Sequence, residues 1–298
     1  MKKIACACLG IVCAMMLTQC NNPSSQTGGS DSTATSKDST TASSGSTAGF
    51  KIGIQMWTFR LFSFEEALAK VDSAGVKHIE AFVGMPLVKG GSAKFGWDMT
   101  DADKAKVKGW LDSKGINIVA MGVISPKDVA EWKKAFDLAK YFGLSYITAE
   151  PKKDQWGAVD SLAGAYGIKV AIHDHPKPNA YWHPDSVLAA IQGHPNIGSC
   201  ADIGHWSRNG LDPVDCLKKL DGHIYGVHLK DIVAFDKTDA ADTVVGKGVI
   251  KFDPVFQELK RQNFNGMMSI EHESNWEHNL PDVIETVKFY NDHVAALK

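Results

Sequence analysis

The sequence predicts an α/β fold in which eight parallel strands close into a (β/α)8 barrel. From residue 50 to the end, short apolar runs alternate strictly with amphipathic stretches. This alternation implies parallel strands that are joined by right-handed crossovers. No glycine-rich phosphate loop follows the first strand, as an open doubly wound sheet would normally have. Residues 50–298 have the usual size of such a barrel, so we expect one catalytic domain.

Eight apolar runs are predicted as strands, because each is short and bounded by polar or turn residues. They are Ile52–Trp57, His78–Val83, Ile116–Gly122, Ser145–Glu150, Lys169–His173, Ile197–Asp202, Ile224–His228 and Gly266–Glu271.

Helices are predicted in the amphipathic stretches between these runs. Thr100 is the expected N-cap of one of them, since its hydroxyl can accept from a first-turn N–H. The predicted helices are Phe64–Ala74, Asp101–Lys114, Ser125–Phe142, Asp154–Tyr166, Pro184–Gln192, Pro213–Leu220, Pro254–Gln262 and Pro281–Leu297. Glycine after a helix favours a left-handed C-terminal turn, and we expect this at Gly75, Gly115, Gly143, Gly167 and Gly193.

The first 20 residues are typical of an export signal. Lys2 and Lys3 precede an apolar run that is too short to span a membrane. The run leads to Cys20, which resembles the lipidated cysteine of a bacterial lipoprotein, although Gln19 is unusual before it. An ordinary cleaved signal is the alternative. Residues 21–49 are rich in Ser, Thr and Gly and predict a disordered tether. We expect an exported protein of the periplasm or cell envelope that reaches the membrane only through a lipid anchor.

Charge and cysteine content exclude two classes of protein. The net charge of −2 gives no electrostatic footprint for nucleic acid. Only Cys200 and Cys216 lie in the predicted barrel, which is too few for a disulfide framework. The sequence leaves open whether the barrel forms a homo-oligomer.

Polar residues recur where the predicted strands end, at the mouth of the expected barrel. A shared cation would offset the cost of burying them. Carboxylate and imidazole donors suit one divalent ion, Mn²⁺, Co²⁺, Mg²⁺ or Zn²⁺. The residues are Glu150, His173, His175, Asp202, His205, His228, Lys230 and Glu271.

Four of these polar residues are predicted to be catalytic. His173 and His175 point to the same side of their strand, so one can be a metal ligand and the other a general base. Lys230 and His205 are predicted to assist at a substrate oxygen. A hydrogen-bonded pair of histidines and a surface lysine beside Asp231 are the structural alternatives.

Substrate contacts are predicted from the aromatic residues and from one further acid. Flat aromatic faces pack well against sugar rings, and Trp57, Trp206 and Trp276 lie near the strand ends. Glu80 lies in the second predicted strand and is added to this set. For each aromatic residue, a role in the core or at the rim is the alternative.

From Phe50 onward the chain resembles the xylose isomerase-like barrel family, often called sugar phosphate isomerase/epimerase. The matching segments are TAEP at 148–151, IHDHP at 172–176, ADIGHW at 201–206, HLKD at 228–231, the G-x-G at 246–248 and SIEHE at 269–273. The resemblance implies a metal ion held by Glu150, Asp202, His228 and Glu271.

One segment departs from the family pattern. Many relatives carry Glu-Asn-His where this chain has His173-Asp174-His175. Either Glu150 or His173 then takes the place of the missing glutamate. The departure also makes a two-carboxylate epimerase mechanism less favoured.

The resemblance implies removal of a proton next to a carbonyl that the metal polarises. Export favours glycosides or oxidised glycosides over cytoplasmic sugar phosphates. We therefore expect a metal-dependent lyase or hydratase that acts on 3-keto-glucosides or on the derived 3-keto-2-hydroxy-glucal. An isomerase or epimerase of an unphosphorylated ketose and a non-catalytic, tethered sugar-binding protein are the alternatives.

Overall fold

A computed structural model describes residues 49–297 and contains a closed barrel of eight parallel strands. The barrel strands in chain order are β1 (Lys51–Gln55), β2 (His78–Ala81), β3 (Asn117–Ile124), β4 (Tyr146–Ala149), β5 (Lys169–His173), β6 (Ile197–Asp202), β7 (Ile224–Leu229) and β10 (Met267–Ile270). Each strand pairs with its sequence neighbours in the barrel, and β10 closes it against β1 and β7. The predicted (β/α)8 barrel is confirmed.

The predicted helices are present in the described part of the chain. They are α1 (Phe64–Ser73), α2 (Asp101–Lys114), α3 (Val129–Phe142), α4 (Trp156–Tyr166), α5 (Pro184–Ile191), α7 (Pro213–Lys219), α8 (Phe252–Arg261) and α9 (Leu280–Ala295). Thr100 caps α2 as expected. The predicted start of α3 at Ser125 is too early. The Asp128 side chain accepts a hydrogen bond from the Glu131 amide, so Asp128 is the N-cap and the helix begins at Val129. The five predicted glycines all have positive φ.

A short helix and a two-stranded sheet were missed from the sequence. A short helix, α6 (Ile203–Arg208), follows β6 without a loop. A small antiparallel pair, β8 (Asp231–Ile232) and β9 (Asp242–Thr243), lies in the connection after β7. Both are too short to produce a clear hydrophobic period.

The connection after β7 is held by one buried carboxylate. Asp231 Oδ1 accepts from the amides of Ile232 and Ile250, and Oδ2 accepts from those of Gly246 and Gly248. A Cβ atom at Gly248 would lie 2.3 Å from Asp231 Oδ1, so only glycine permits this approach. The Asp of HLKD and the G-x-G segment therefore form one structural unit.

The barrel interior changes character along its axis. Most of the apolar core lies between the barrel and the surrounding helices. A second, smaller core cluster is formed by Ala120, Tyr146, Ala171, Cys200 and Met267. Fully buried polar side chains, including His173, Asp202 and His228, lie at and near the carboxyl ends of the strands. The fold thus brings the polar strand ends together at one mouth.

The predicted signal peptide, and the predicted tether up to residue 48, lie outside the described residues. Among the residues that are described, no helix is long and apolar enough to cross a membrane.

Candidate active site

Four adjacent barrel strands bring two histidines and two acids together at the mouth. His173 ends β5, Asp202 ends β6, His228 lies in β7 and Glu271 directly follows β10. All four are buried, and each places one donor atom within 4.8 Å of the others. We call this set the four-residue cluster.

The spacing of the four donor atoms suits a bound metal ion. His173 Nε2 lies 3.6 Å from Asp202 Oδ2 and 3.9 Å from Glu271 Oε2. His228 Nδ1 lies 3.8 Å and 3.0 Å from the same two oxygens. Four ligands at about 2.1 Å from a tetrahedral ion would be about 3.4 Å apart. The observed separations bracket that value.

Hydrogen bonding gives a second test of the fit to a cation. Both ring nitrogens of His173 are buried without a hydrogen-bond partner, whereas Asp202 Oδ2 forms an ion pair with Lys230. Asp202 Oδ1 is already used, since it accepts from the His205 amide and caps α6. Buried polar atoms without partners are rare and costly. The four-residue cluster therefore fits a divalent ion.

The structure places Glu150 outside this cluster. Its Oε1 contacts His175 Nδ1 at hydrogen-bonding distance, and its Oε2 accepts from Asn179 Nδ2 at 2.9 Å. His173 Nδ1 is 3.8 Å from Glu150 Oε1. Of the two ligands that the sequence left open, the geometry favours His173. Glu150, His173 and His175 form a second group of adjacent donors that shares His173 with the first.

His175 and His205 have different surroundings. The side chain of His175 is 45% exposed and lines the pocket, whereas His205 is buried. Two cations that can only donate flank its ring, with Arg208 Nη1 3.0 Å from Nδ1 and Lys230 Nζ 3.3 Å from Nε2. Burial lowers the pKa of His205 well below its ordinary value. His205 is therefore neutral, and His175 is the histidine that solvent and substrate can reach.

Lys230 is a buried cation between three carboxylates. Its Nζ lies 3.2 Å from Asp202 Oδ2, 3.0 Å from Glu271 Oε2 and 2.9 Å from Glu273 Oε2. The three carboxylates outnumber this ammonium, which favours a further cation beside them. Lys230 does not line the pocket, and its predicted contact with a substrate oxygen stays a prediction.

The carboxylates at the mouth stabilise the positively charged forms of neighbouring side chains. Burial alone would lower the pKa of His173, but Asp202 and Glu150 outweigh it and raise that pKa to about 9. Burial alone would raise the pKa of Glu271, yet Lys230 and His228 hold it well below its ordinary value. Glu271 is therefore an ionised carboxylate that can donate an electron pair to a metal ion.

An open pocket lies directly above the cluster. It has a volume of about 190 Å³ and is lined by Trp57, Phe82, Val123, His175, Glu271 and Glu273. Pockets for drug-sized ligands are roughly 300–1,000 Å³. This pocket is smaller than that range, so it suits one small molecule.

Glu273 is a pocket residue that the sequence analysis did not select. Its Oε1 accepts from Trp57 Nε1 at 2.9 Å, and its Oε2 accepts from Lys230 Nζ. Its amide donates to Asp242 Oδ2 at 2.7 Å. The signal was present, because an acid two residues after Glu271 points to the same side of an extended segment.

The four predicted substrate contacts separate into two groups. Trp57 lines the pocket, and Trp276 lies edge-to-face against it at 6.2 Å between ring centroids. Arg60 stacks on both rings. Trp206 and Glu80 are fully buried, and neither lines the pocket. Trp206 instead packs in the apolar core, while Glu80 contacts His228 and Ser269.

A family model described as "Xylose isomerase-like TIM barrel" matches residues 68–293 of this chain. The chain belongs to this family. The match covers every barrel strand after the first, including the ends that carry the four-residue cluster. The resemblance that the sequence motifs suggested is confirmed.

Curated relatives include an inosose dehydratase of Clostridium botulinum, 32% identical over 127 residues. That match covers 38% of this chain and 43% of the relative. An inosose dehydratase of Clostridium beijerinckii is 28% identical over 149 residues, or 50% of its length. The chain thus spans about half or less of these relatives.

Solved structures cover nearly the whole barrel. An uncharacterized protein of Parabacteroides distasonis is 35% identical, with a TM-score of 0.67 and coverage of 82% of this chain and 99% of that one. The IolI protein, solved with a bound zinc atom, has a TM-score of 0.67 at 18% identity and covers 83% of this chain and 98% of its own. The latter likeness shows the shared fold.

Proposed function

We propose that this protein is a divalent-metal-dependent lyase or hydratase that acts on an oxidised sugar, a 3-keto-glucoside or the derived 3-keto-2-hydroxy-glucal. The observation that carries the proposal is the four-residue cluster, with its buried donors without partners, beside a half-exposed histidine held by Glu150. The inosose dehydratase relatives support elimination as the reaction class.

The metal is held by His173, Asp202, His228 and Glu271 in this proposal. When bound, a divalent ion supplies Lewis-acid polarisation of a carbonyl, which makes the neighbouring C–H bond more acidic. Two imidazoles and two carboxylates are compatible with Mn²⁺, Co²⁺ or Zn²⁺, while Mg²⁺ is the least suited, since it prefers oxygen donors.

His175 is the general base. Glu150 accepts a hydrogen bond from Nδ1–H of His175. The lone pair of Nε2 is then free to take a proton from a substrate in the pocket. In a 3-keto-glucoside this is the C2 proton. The C1–O bond then breaks, a C1–C2 double bond forms, and the departing alkoxide must receive a proton. Hydration is the reverse sequence with water in place of the alcohol.

Lys230 and His205 lie behind the cluster and do not line the pocket. Lys230 Nζ lies 3.3 Å from His205 Nε2. Burial alone would lower the pKa of Lys230, but Asp202, Glu271 and Glu273 hold it well above its ordinary value. Lys230 therefore stabilises negative charge, and the proton that His175 has taken is the one available for the leaving group.

The pocket walls support a neutral sugar as substrate. Trp57 and Phe82 present apolar faces on one side, and their ring centroids are 4.7 Å apart. Glu271 and Glu273 line the other side and would repel a phosphate group. Glu273 can accept a hydroxyl hydrogen bond. We also propose, from the signal at residues 1–20, that the protein meets this sugar outside the cytoplasm as a lipid-anchored protein.

The test is turnover of a 3-keto-glucoside by the metal-loaded protein, followed by NMR in deuterated water. We expect release of the aglycone, with the 3-keto-2-hydroxy-glucal as product or intermediate, and no turnover after chelation. Deuterium exchange next to the ketone without aglycone release would indicate the isomerase or epimerase. Sugar binding with neither reaction would indicate a binding protein, and either result would reject the lyase.

A further inference from the structure

His228 lies between two carboxylates, one on each side of its ring. Its Nδ1 is 3.0 Å from Glu271 Oε2, inside the four-residue cluster. Its Nε2 is 3.0 Å from Glu80 Oε2, on the side away from the cluster. Both Glu80 and His228 are fully buried. The ring therefore connects the cluster to a second buried acid.

The contact with Glu80 decides which nitrogen can bind a metal. A histidine ligand is a neutral ring that carries its proton on the other nitrogen. An ionised carboxylate can only accept, so Glu80 selects the form with the proton on Nε2. The lone pair of Nδ1 then faces Asp202 and Glu271.

We propose that Glu80 is a positioning residue for the metal site, which fixes the proton of His228 on Nε2 and the orientation of its ring. The inference rests on the metal site of the proposed function. Outer carboxylates of this kind raise the basicity of a ligating imidazole, and their loss typically lowers metal affinity about 10- to 100-fold. Glu80 thereby acts through His228 rather than on the substrate.

The surroundings of Glu80 leave it few other roles. Glu80 Oε2 forms hydrogen bonds with His228 and Ser269, and the Oε1 atom has no hydrogen-bond partner. A buried carboxylate with so few partners is costly, and an apolar side chain at this position would be cheaper for the fold alone. Its backbone is fixed, because Glu80 pairs with Gln55 of β1 and with Ala120 of β3.

A second metal ion is the competing explanation. Glu80, Cys200 and His228 also place donor atoms within 4.8 Å of one another. An ion there would need the same Nε2 lone pair that the proton on this nitrogen removes. The two arrangements are therefore exclusive and predict different stoichiometries, one ion per chain or two.

The experiment is titration of the full chain with Co²⁺ and with Zn²⁺, by calorimetry and by the visible absorption of Co²⁺. We expect one ion per chain in the wild type, with affinity about 10- to 100-fold lower in Glu80→Gln and lower still in Glu80→Ala. The Co²⁺ spectrum should change in both variants. Tyr290→Phe, which removes a buried hydroxyl without a hydrogen-bond partner on the outer helix α9, should leave affinity and spectrum unchanged.

Ser269→Ala provides a milder variant if Glu80→Ala does not fold. It removes the other contact to Glu80 Oε2 and should lower metal affinity to a smaller extent. Wild-type affinity and spectrum in both Glu80→Gln and Ser269→Ala would overturn the inference while leaving the proposed function intact, and two ions per chain would also overturn it. A wild-type chain that binds no ion would reject the metal site itself.

Discussion

The two sides of the barrel mouth differ in chemistry although the same fold builds both. On one side, strands β5, β6, β7 and β10 end in the charged and imidazole groups of His173, Asp202, His228 and Glu271. On the other side, the first three strands and the segments after them supply Trp57, Phe82 and Val123 to the pocket. The backbone of a (β/α)8 barrel is similar at every strand end. The chemical difference between the two sides therefore comes from their side chains, and substitutions can test each side separately.

Glu271→Gln should have the largest effect, since it removes a charge from the charged side. We expect metal affinity to fall and kcat/KM on a 3-keto-glucoside to drop about 10³-fold, which corresponds to about 4 kcal/mol. Calorimetry and steady-state kinetics measure the two effects. Glu277→Gln is the matched control, because Glu277 is exposed. Retained turnover in Glu271→Gln would contradict the division between the two sides.

Glu150→Gln should separate catalysis from metal binding within the charged side. Because Glu150 contacts His175 rather than the four-residue cluster, we expect kcat to fall about 10- to 100-fold while the affinity for Co²⁺ stays near the wild-type value. Asn179→Ala, which removes the hydrogen bond from Asn179 Nδ2 to Glu150 Oε2, should lower kcat less. A large loss of Co²⁺ affinity would instead make Glu150 a metal ligand.

The stability difference between Glu150→Gln and the wild type should depend on pH. Burial alone would raise the pKa of Glu150, but His173 and His175 outweigh it and hold the pKa well below the ordinary 4.5. A depressed carboxyl pKa contributes stability above the unfolded value, and this contribution is lost as the pH falls through the folded value. Glu150→Gln should therefore be less stable than the wild type at pH 7. The difference in urea midpoint should shrink below pH 4.5, and a constant difference would oppose this.

Asp231→Ala should destabilise the connection that follows β7 on the charged side. Four backbone amides would lose their shared acceptor. We expect a loss of about 2–3 kcal/mol in the free energy of unfolding, since hydrogen bonds to a charged group contribute roughly 1.5–3 kcal/mol. Urea unfolding measures it. Asp239→Asn, at an exposed position of the same connection, should change stability little.

Trp57→Phe should have the smallest effect, and on binding alone. The variant keeps an aromatic face but loses the indole N–H that donates to Glu273. We expect KM to rise about 3- to 10-fold with kcat nearly unchanged, because aromatic contacts contribute about 0.5–1.5 kcal/mol. Trp110→Phe, on the outer helix α2, is the control. A drop in kcat equal to that of Glu271→Gln would show that the aromatic side also takes part in the chemistry.

Much of the fold could be predicted because its signals are local. Alternating apolar runs and amphipathic stretches gave eight strands and eight helices in the right order. Thr100 and the glycine turns are one-residue signals that need no tertiary context. The short helix α6 and the β8–β9 pair were missed, because six and two residues cannot show a period.

The candidate site was predictable as a set of residue types but not as a set of contacts. Asp202, His228 and Glu271 were selected from strand ends and from family motifs, and they are adjacent in space. Glu150 was grouped with them, although a contact with His175 holds it elsewhere. Trp206 also follows a strand, but it turns into the apolar core on α6. Which way a side chain points after a strand ends depends on the next few dihedral angles.

The sequence by itself determined the barrel, its eight strand ends and the polar residues that gather at one mouth. Periodicity fixes strands and helices, and parallel strands must end at the same edge. Only the tertiary structure places His173 in the cluster and Glu150 in contact with His175. It also places Glu273 at the pocket and Glu80 behind His228. These assignments depend on distances of 3–4 Å between residues far apart in the chain. Such distances are set by barrel closure and side-chain packing, which a local pattern does not contain.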